Sequence, residues 1–381
     1  MTVEPFQLER FFARHEFTTP HLLSVSDCES MTVHELLELE PGAREGLERV
    51  WLGYTASEGS AEVRDALSAL HPGLGPEHFL VHGAGVEVLL TVALAVLQPG
   101  DHAVVQAPCY QAARSAPRIA GAEVSLWHGD PDRGWAPDPE ALPRLFRPRT
   151  RLLVVNTPHN PTGHHFTEAE LRWIVEAAES RGIQVLVDEA YRGAEYRDGD
   201  RLPSAAELSE RACALGLLSK GYGLPGLRVA WLATRNRGLY DAVARAKDYT
   251  TICAPAPAEY LAAVALRNSG RLLSRSRSIL LENLSLLEAF MSRHGDRLRW
   301  TPPRAGSVCL PRLITGDSET LCSRARNEAA VLLAPGRLFD APMESFRMGF
   351  GRRGFREGLA AFDAWLAAGG SAPAVPDRRD D

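Results

Sequence analysis

From about residue 61 the chain alternates helix-forming stretches with short aliphatic, β-branched runs: VEVLLTVALAVL, DHAVVQAP, RLLVVNTP, EAELRWIVEAAESRG and IQVLVDEA follow one another. Strands separated by helices of this length predict an α/β fold with a mainly parallel sheet covered on both faces. In such sheets the ligand crevice opens at the carboxyl ends of the strands. The polar stretches NTPHNPTG and DEAYR directly follow the strands RLLVV and IQVLV, so chemistry is expected there.

After about residue 250 the pattern turns helical and then breaks into short strands around SVCLPRL, AAVLLAPG and SFRMGFG, which reads as a smaller α+β domain. The expected organisation is a segment 1–44 packing with the small domain, a large domain 45–250, a small domain 251–370 and a flexible tail 371–381 rich in Gly, Pro and charge. The 42 basic and 48 acidic residues are spread along the chain, which leaves no basic stripe for nucleic acid or anionic lipid. A small-molecule ligand is expected instead. The six cysteines form no C-x-x-C pair, so neither a disulfide framework nor a zinc site is suggested and no metal is expected. The N-terminus is too charged for a signal peptide, and no run of about 18 apolar residues occurs. A cytoplasmic protein outside the membrane is the expectation.

The segment LLSKGYGLPGLRVAW places one lysine, Lys220, between an apolar run and a loop punctuated by Gly and Pro. A lone lysine is usually a solvated surface charge. Lysine is also the residue whose amine forms a Schiff base once desolvation or a neighbouring charge lowers its pKa. Likewise Asp188, at the end of IQVLV, is either a turn residue or a buried acid, and Gly83 and Gly85 are a tight turn unless something approaches their backbone.

The order of motifs decides between these readings. Tyr54 in GYTASEGS, Glu87 in GAGVEVLL, Pro108 to Tyr110, NPTG at Asn160 to Gly163, DEAY at Asp188 to Tyr191, SKGYGLPGLR around Lys220, PGRLF at Pro335 to Phe339 and FRMGFGR at Phe346 to Arg352 occur in sequence. Together they resemble the class I/II aminotransferases, the fold-type I enzymes that use pyridoxal 5'-phosphate, across roughly residues 50 to 352.

That resemblance implies roles. Lys220 carries the cofactor and acts as base, Asp188 holds the pyridine nitrogen protonated, and Tyr191 and Asn160 donate to the ring's phenolate oxygen. The phosphate falls to the amides of Ala84, Gly85 and Val86 at a helix start, with Ser219 and Arg228. Tyr110 stacks on the ring. Tyr54 reaches the phosphate of a neighbouring subunit, which implies a homodimer with a shared active site. Arg347 reads the α-carboxylate of a free amino acid bidentately, with Asn160 beside it, while Arg352 and Arg353 are expected to be surface charges.

Two departures stand out. Leu217 and Val86 occupy positions where relatives carry phosphate-binding hydroxyls, which shifts the load to Arg228, Tyr54, Ser219 and backbone amides. Near the N-terminus, LLSVSDCESMTVHELLEL replaces the usual glycine-containing segment and, with YGLPGLRVAW and KDYTTICAPAPAE, is similar to capreomycidine synthase-type enzymes of antibiotic pathways that process arginine derivatives. Asp27 and Glu29 could receive a cationic side chain, but capping of the following helix is the favoured reading. The expected activity is transamination of a free amino acid, with elimination, replacement or cyclisation on an arginine-like substrate as the alternative. A regulatory domain is disfavoured, because no basic helix-turn-helix segment appears.

Overall fold

The computed structural model describes residues 3–370; the tail expected at 371–381 lies outside them. At its centre is an eight-stranded sheet. Its strands are β1 (Phe79–His82), β2 (His102–Ala107), β3 (Glu123–Asp130), β4 (Ala136–Pro137), β5 (Thr150–Asn156), β6 (Gln184–Asp188), β7 (Ala212–Leu217) and β8 (Ala230–Thr234). Their spatial order is β1-β8-β7-β6-β5-β2-β3-β4. Strands β7, β6, β5, β2 and β3 run parallel, whereas β8 runs antiparallel to both β7 and β1.

The parallel strands are apolar on both faces: Leu152 to Val155 and Val185 to Val187 are all buried, as a sheet covered on two sides requires. Between β5 and β6 the helix Glu168–Glu179 starts at Thr167, whose hydroxyl accepts from Glu170 N while the Glu170 carboxylate accepts from Thr167 N. This reciprocal cap fixes where the crossover begins. Strand β8 returns directly beside β7, with Leu217 paired to Ala230. That hairpin-like return brings Arg228 back beside the loop carrying Lys220.

Two helices matter most to the site, α1 (Gln7–His15) and α2 (Gly85–Val96). Helix α1 buries Leu8 against Ala334, Leu338 and Phe339, contributing on the order of 2 kcal/mol. Further along, His21–Leu22 pairs in parallel with Val331–Leu332. A three-stranded antiparallel sheet, with Phe346–Gly349 between Val308–Cys309 and Ala334–Pro335, carries Arg347. No helix among the described residues is long and apolar enough to cross a membrane.

Candidate active site

A cavity of about 570 Å³ opens at the carboxyl ends of the parallel strands, and Asp188, Tyr191, Asn160, Lys220, Arg228 and Arg347 all line it. Asn160, Asp188, Tyr191 and Lys220 meet because they follow β5, β6 and β7 at one edge of the sheet, while Arg228 enters just before β8 and Arg347 from the three-stranded sheet.

Lys220 Nζ donates to Ser26 Oγ at 2.8 Å. Burial pulls its ammonium below the usual lysine range and the Arg347 charge adds to this, while Asp27, Glu9 and Asp188 oppose it. An amine so depressed is closer to the neutral form that attacks carbonyls and takes protons.

Asp188 ends β6, and its Oδ1 accepts from Ala190 N at 3.0 Å. Burial lifts its carboxyl to about 6, against the Ala190 hydrogen bond and the Lys220 charge. A carboxylate placed here needs a cationic N–H to remain ionised, which a protonated pyridine nitrogen supplies. The Tyr191 hydroxyl is buried with no hydrogen-bond partner among the described residues. A buried hydroxyl in that condition costs free energy unless a ligand oxygen completes it. Both observations fit pyridoxal phosphate.

The candidate phosphate end of the cavity lies at the start of α2. Ala84 is its N-cap residue, and Glu87 N and Val88 N already donate to Ala84 O. The N–H groups of Gly85 and Val86 therefore come first among those lacking an intrahelical acceptor. A Cβ on Gly85 would lie 2.8 Å from Leu217 Cδ2, so glycine here lets the turn and β7 approach without moving the Leu217 side chain. Gly85, Val86, Ser219 and Leu217 line the cavity, while Ala84 does not. Arg228 adopts a left-handed backbone with φ 53. Its Nη1 donates to Pro225 O at 3.2 Å, and it forms no ion pair among the described residues. Tyr54 is 86% exposed and is not brought into the cavity of its own chain.

Arg347 is only 1% exposed. Its Nε and Nη2 donate to Ser24 O at 3.1 and 2.6 Å, and Nη1 donates to Asn160 Oδ1 at 3.0 Å. Its guanidinium lies 4.6 Å from the Phe339 ring centroid and 5.7 Å from that of Phe12. Of its five N–H groups, Nη1 and Nη2 each keep one for a ligand, the pair a carboxylate engages bidentately. Tyr110 donates to Glu9 Oε1 at 2.9 Å, and its ring sits 5.2 Å from that of Phe6.

The N-terminal segment corrects two expectations. The helix Val33–Leu37 is capped by Thr32, in a reciprocal box with Glu35, and not by Asp27 or Glu29. A Ser/Thr with Glu three residues on satisfies the helix start more directly than acids farther upstream. Glu29 instead accepts from Arg353 N at 2.8 Å. Asp27 is buried in the cavity wall and accepts from Arg352 Nη2 at 2.8 Å, so Arg352 is a cavity residue and no plain surface charge. The stretch from Ser24 to Glu29 threads between the two key cations: Ser24 O accepts from Arg347, Cys28 N donates to Lys220 O at 3.3 Å, and Glu29 N donates to Gly351 O at 2.8 Å.

Helix α1 contributes Glu9 and Phe12 to the wall, with Glu16 just beyond its end. Sequence reasoning missed all three, although their spacing puts them on one helix face. Burial raises the Glu16 carboxyl against the pull of Arg352. Glu9, Glu16 and Asp27 thus join Asp188 as the four carboxylates that share the cavity with Lys220.

The sequence matches the aminotransferase class I and II family over residues 20–354. It is 30% identical over 366 residues to capreomycidine synthase of Streptomyces vinaceus, covering 94% of this chain and 93% of that protein. The fold superimposes on a PLP-dependent aminotransferase from Streptococcus suis with a TM-score of 0.91 at 31% identity, covering 97% and 99% of the two chains. The PLP-dependent cyclase OrfR superimposes with a TM-score of 0.86 at 29% identity, covering 97% and 98%. Sequence, architecture and cavity agree: the chain belongs to the aminotransferase class I and II family, a fold-type I enzyme whose cofactor is pyridoxal phosphate.

Proposed function

We propose that this enzyme removes the α-proton of a free amino acid whose side chain ends in a cation, and that it transfers the amino group to a 2-oxo acid. The observation that carries the reading is the meeting of Lys220, Asp188 and Arg347 in one cavity whose remaining wall holds Glu9, Glu16 and Asp27. When bound, pyridoxal phosphate supplies the electron sink that makes the substrate's Cα–H acidic. Asp188 holds a proton on the ring nitrogen, and Tyr191 and Asn160 donate to the ring oxygen. Gly85, Val86, Ser219 and Arg228 take the phosphate. Tyr110 packs against the ring, and the Ala84 carbonyl fixes the helix start that aims the amides. Arg347 orients the α-carboxylate so that the Cα–H faces Lys220, which takes the proton and later returns it.

A second reading, elimination followed by ring closure on an arginine-like substrate, is favoured by the segment Ser24 to Glu29, which puts Ser26 on Lys220 Nζ and Asp27 in the wall. Similarity to capreomycidine synthase over 94% of the chain supports it. Both fates share the proton removal by Lys220. We further infer a homodimer, in which Tyr54 of each chain enters the neighbour's phosphate site.

Mass spectrometry after one stoichiometric turnover without 2-oxo acid tests the reaction class. Transamination leaves a keto acid and pyridoxamine phosphate. Recovery of unchanged pyridoxal phosphate with an unsaturated or cyclised product rejects transamination in favour of the second reading.

A further inference from the structure

Glu87 sits in the first turn of α2, where a carboxylate is drawn to the same N-terminal N–H groups that a phosphate would use. It does not turn towards them. Its Oε2 accepts from Gly83 N at 2.7 Å, and its Oε1 accepts from the hydroxyls of Thr250 and of Thr251, the latter at 2.7 Å. The contact is close, since a Cβ on Gly83 would lie 3.2 Å from Thr251 Cγ2.

The segment beyond these threonines is tied in turn to the Tyr54 loop. Lys247, fully buried, donates to the carbonyls of Ile252 and of Ser57, the latter at 2.7 Å. Ser57 Oγ donates to Ile252 O at 3.1 Å, and Thr55 Oγ1 donates to Ala254 O at 2.9 Å. Hydrogen bonds therefore run from Gly83 through Glu87 and Thr250 to Lys247 and on to the loop bearing Tyr54, with Thr251 and Ile252 attached alongside.

We propose that Glu87 is a positioning residue for the cofactor phosphate: latched to Thr250 and Thr251, it keeps the amides of Gly85 and Val86 open to the phosphate and fixes them relative to the Tyr54 loop. A carboxylate released from the threonines would swing over the helix start, compete for those amides and repel the dianion. This inference rests on the reading that the start of α2 takes the phosphate.

The test uses full-length apoprotein titrated with pyridoxal 5'-phosphate and, separately, with pyridoxal, which lacks the phosphate. Binding is followed by absorbance, so no turnover is needed. The Thr250→Val/Thr251→Val variant, altered only at exposed positions, is expected to bind pyridoxal phosphate on the order of tenfold more weakly, with pyridoxal unaffected, because the released Glu87 carboxylate then competes for the Gly85 and Val86 amides and repels the phosphate. Glu87→Ala removes the competing carboxylate with its latch, so its loss should be smaller than that of the threonine variant. Equal weakening of both ligands, or none, in the threonine variant overturns the proposal. Arg228→Ala, run alongside, separates the two levels. If it lowers phosphate-dependent affinity while the threonine variant does not, only the latch fails; if neither variant distinguishes the ligands, the phosphate assignment fails as well.

Discussion

Arg347 Nη1 donates to Asn160 Oδ1 at 3.0 Å, so the candidate carboxylate-binding residue and the candidate ring-oxygen donor are one hydrogen-bonded pair. Arg347→Lys keeps the charge but removes the planar fork. It is expected to lower kcat/KM by roughly a hundredfold, mostly through KM, with a smaller loss of cofactor affinity because Asn160 loses its bond to Nη1. Steady-state kinetics beside a cofactor titration check this; a wild-type KM would show that the carboxylate binds elsewhere.

The pH behaviour of the apoprotein should report Asp188. Burial raises its folded-state carboxyl from 3.8 to about 6. The stability it contributes is therefore fully present below about 4 and is lost as pH rises towards 6, because the folded chain holds the proton longer than the unfolded one. Asp188→Asn should flatten that part of the stability profile, measured by chemical denaturation between pH 4 and 7, and should remove most activity. An unchanged slope would mean that another group titrates there.

The acidic wall should discriminate among substrates. Asp27→Asn and Glu16→Gln are each expected to raise KM for arginine-like amino acids several-fold while leaving neutral amino acids unaffected, since Glu16 is half-buried and Asp27 is already shared with Arg352, which holds each added charge pair to on the order of 1 kcal/mol. Competition assays with arginine, hydroxylated arginines and leucine read this directly. Equal effects on all of them would mean that these carboxylates shape the fold and do not select a cation.

Trp51, Leu52, Tyr54 and Tyr249 are between 79% and 93% exposed, an apolar surface that a second copy of the chain would cover. Sedimentation should show a dimer, and Leu52→Asp should shift it towards monomer with a parallel loss of cofactor affinity. A dimer-free, fully active wild type would refute the shared site.

Much of this was legible beforehand because the chemistry follows strand ends. Asp188 closes the apolar run of β6, Asn160 follows β5, and Lys220 follows β7, so periodicity located the crevice and the motifs filled it. The missing parts depend on contacts distant in sequence. Helix α1 is short and polar, and what sets Glu9 and Phe12 over the cavity is Leu8 packing on residues 334–339. Asp27 was misread as a cap because its partner, Arg352, lies at the other end of the chain.

The stretch from Ser24 to Glu29 grips its neighbours largely by main-chain atoms: Ser24 O holds Arg347, Cys28 N meets Lys220 O, and Glu29 N meets Gly351 O. Main-chain bonds survive almost any change of side chain. The side chains of Ser26 and Asp27, which face the cavity, can therefore change while the backbone beside Lys220 and the buried Arg347 stays as it is. The lining of the cavity is thus free to vary even where it touches Lys220 itself, without disturbing the main-chain frame that holds it.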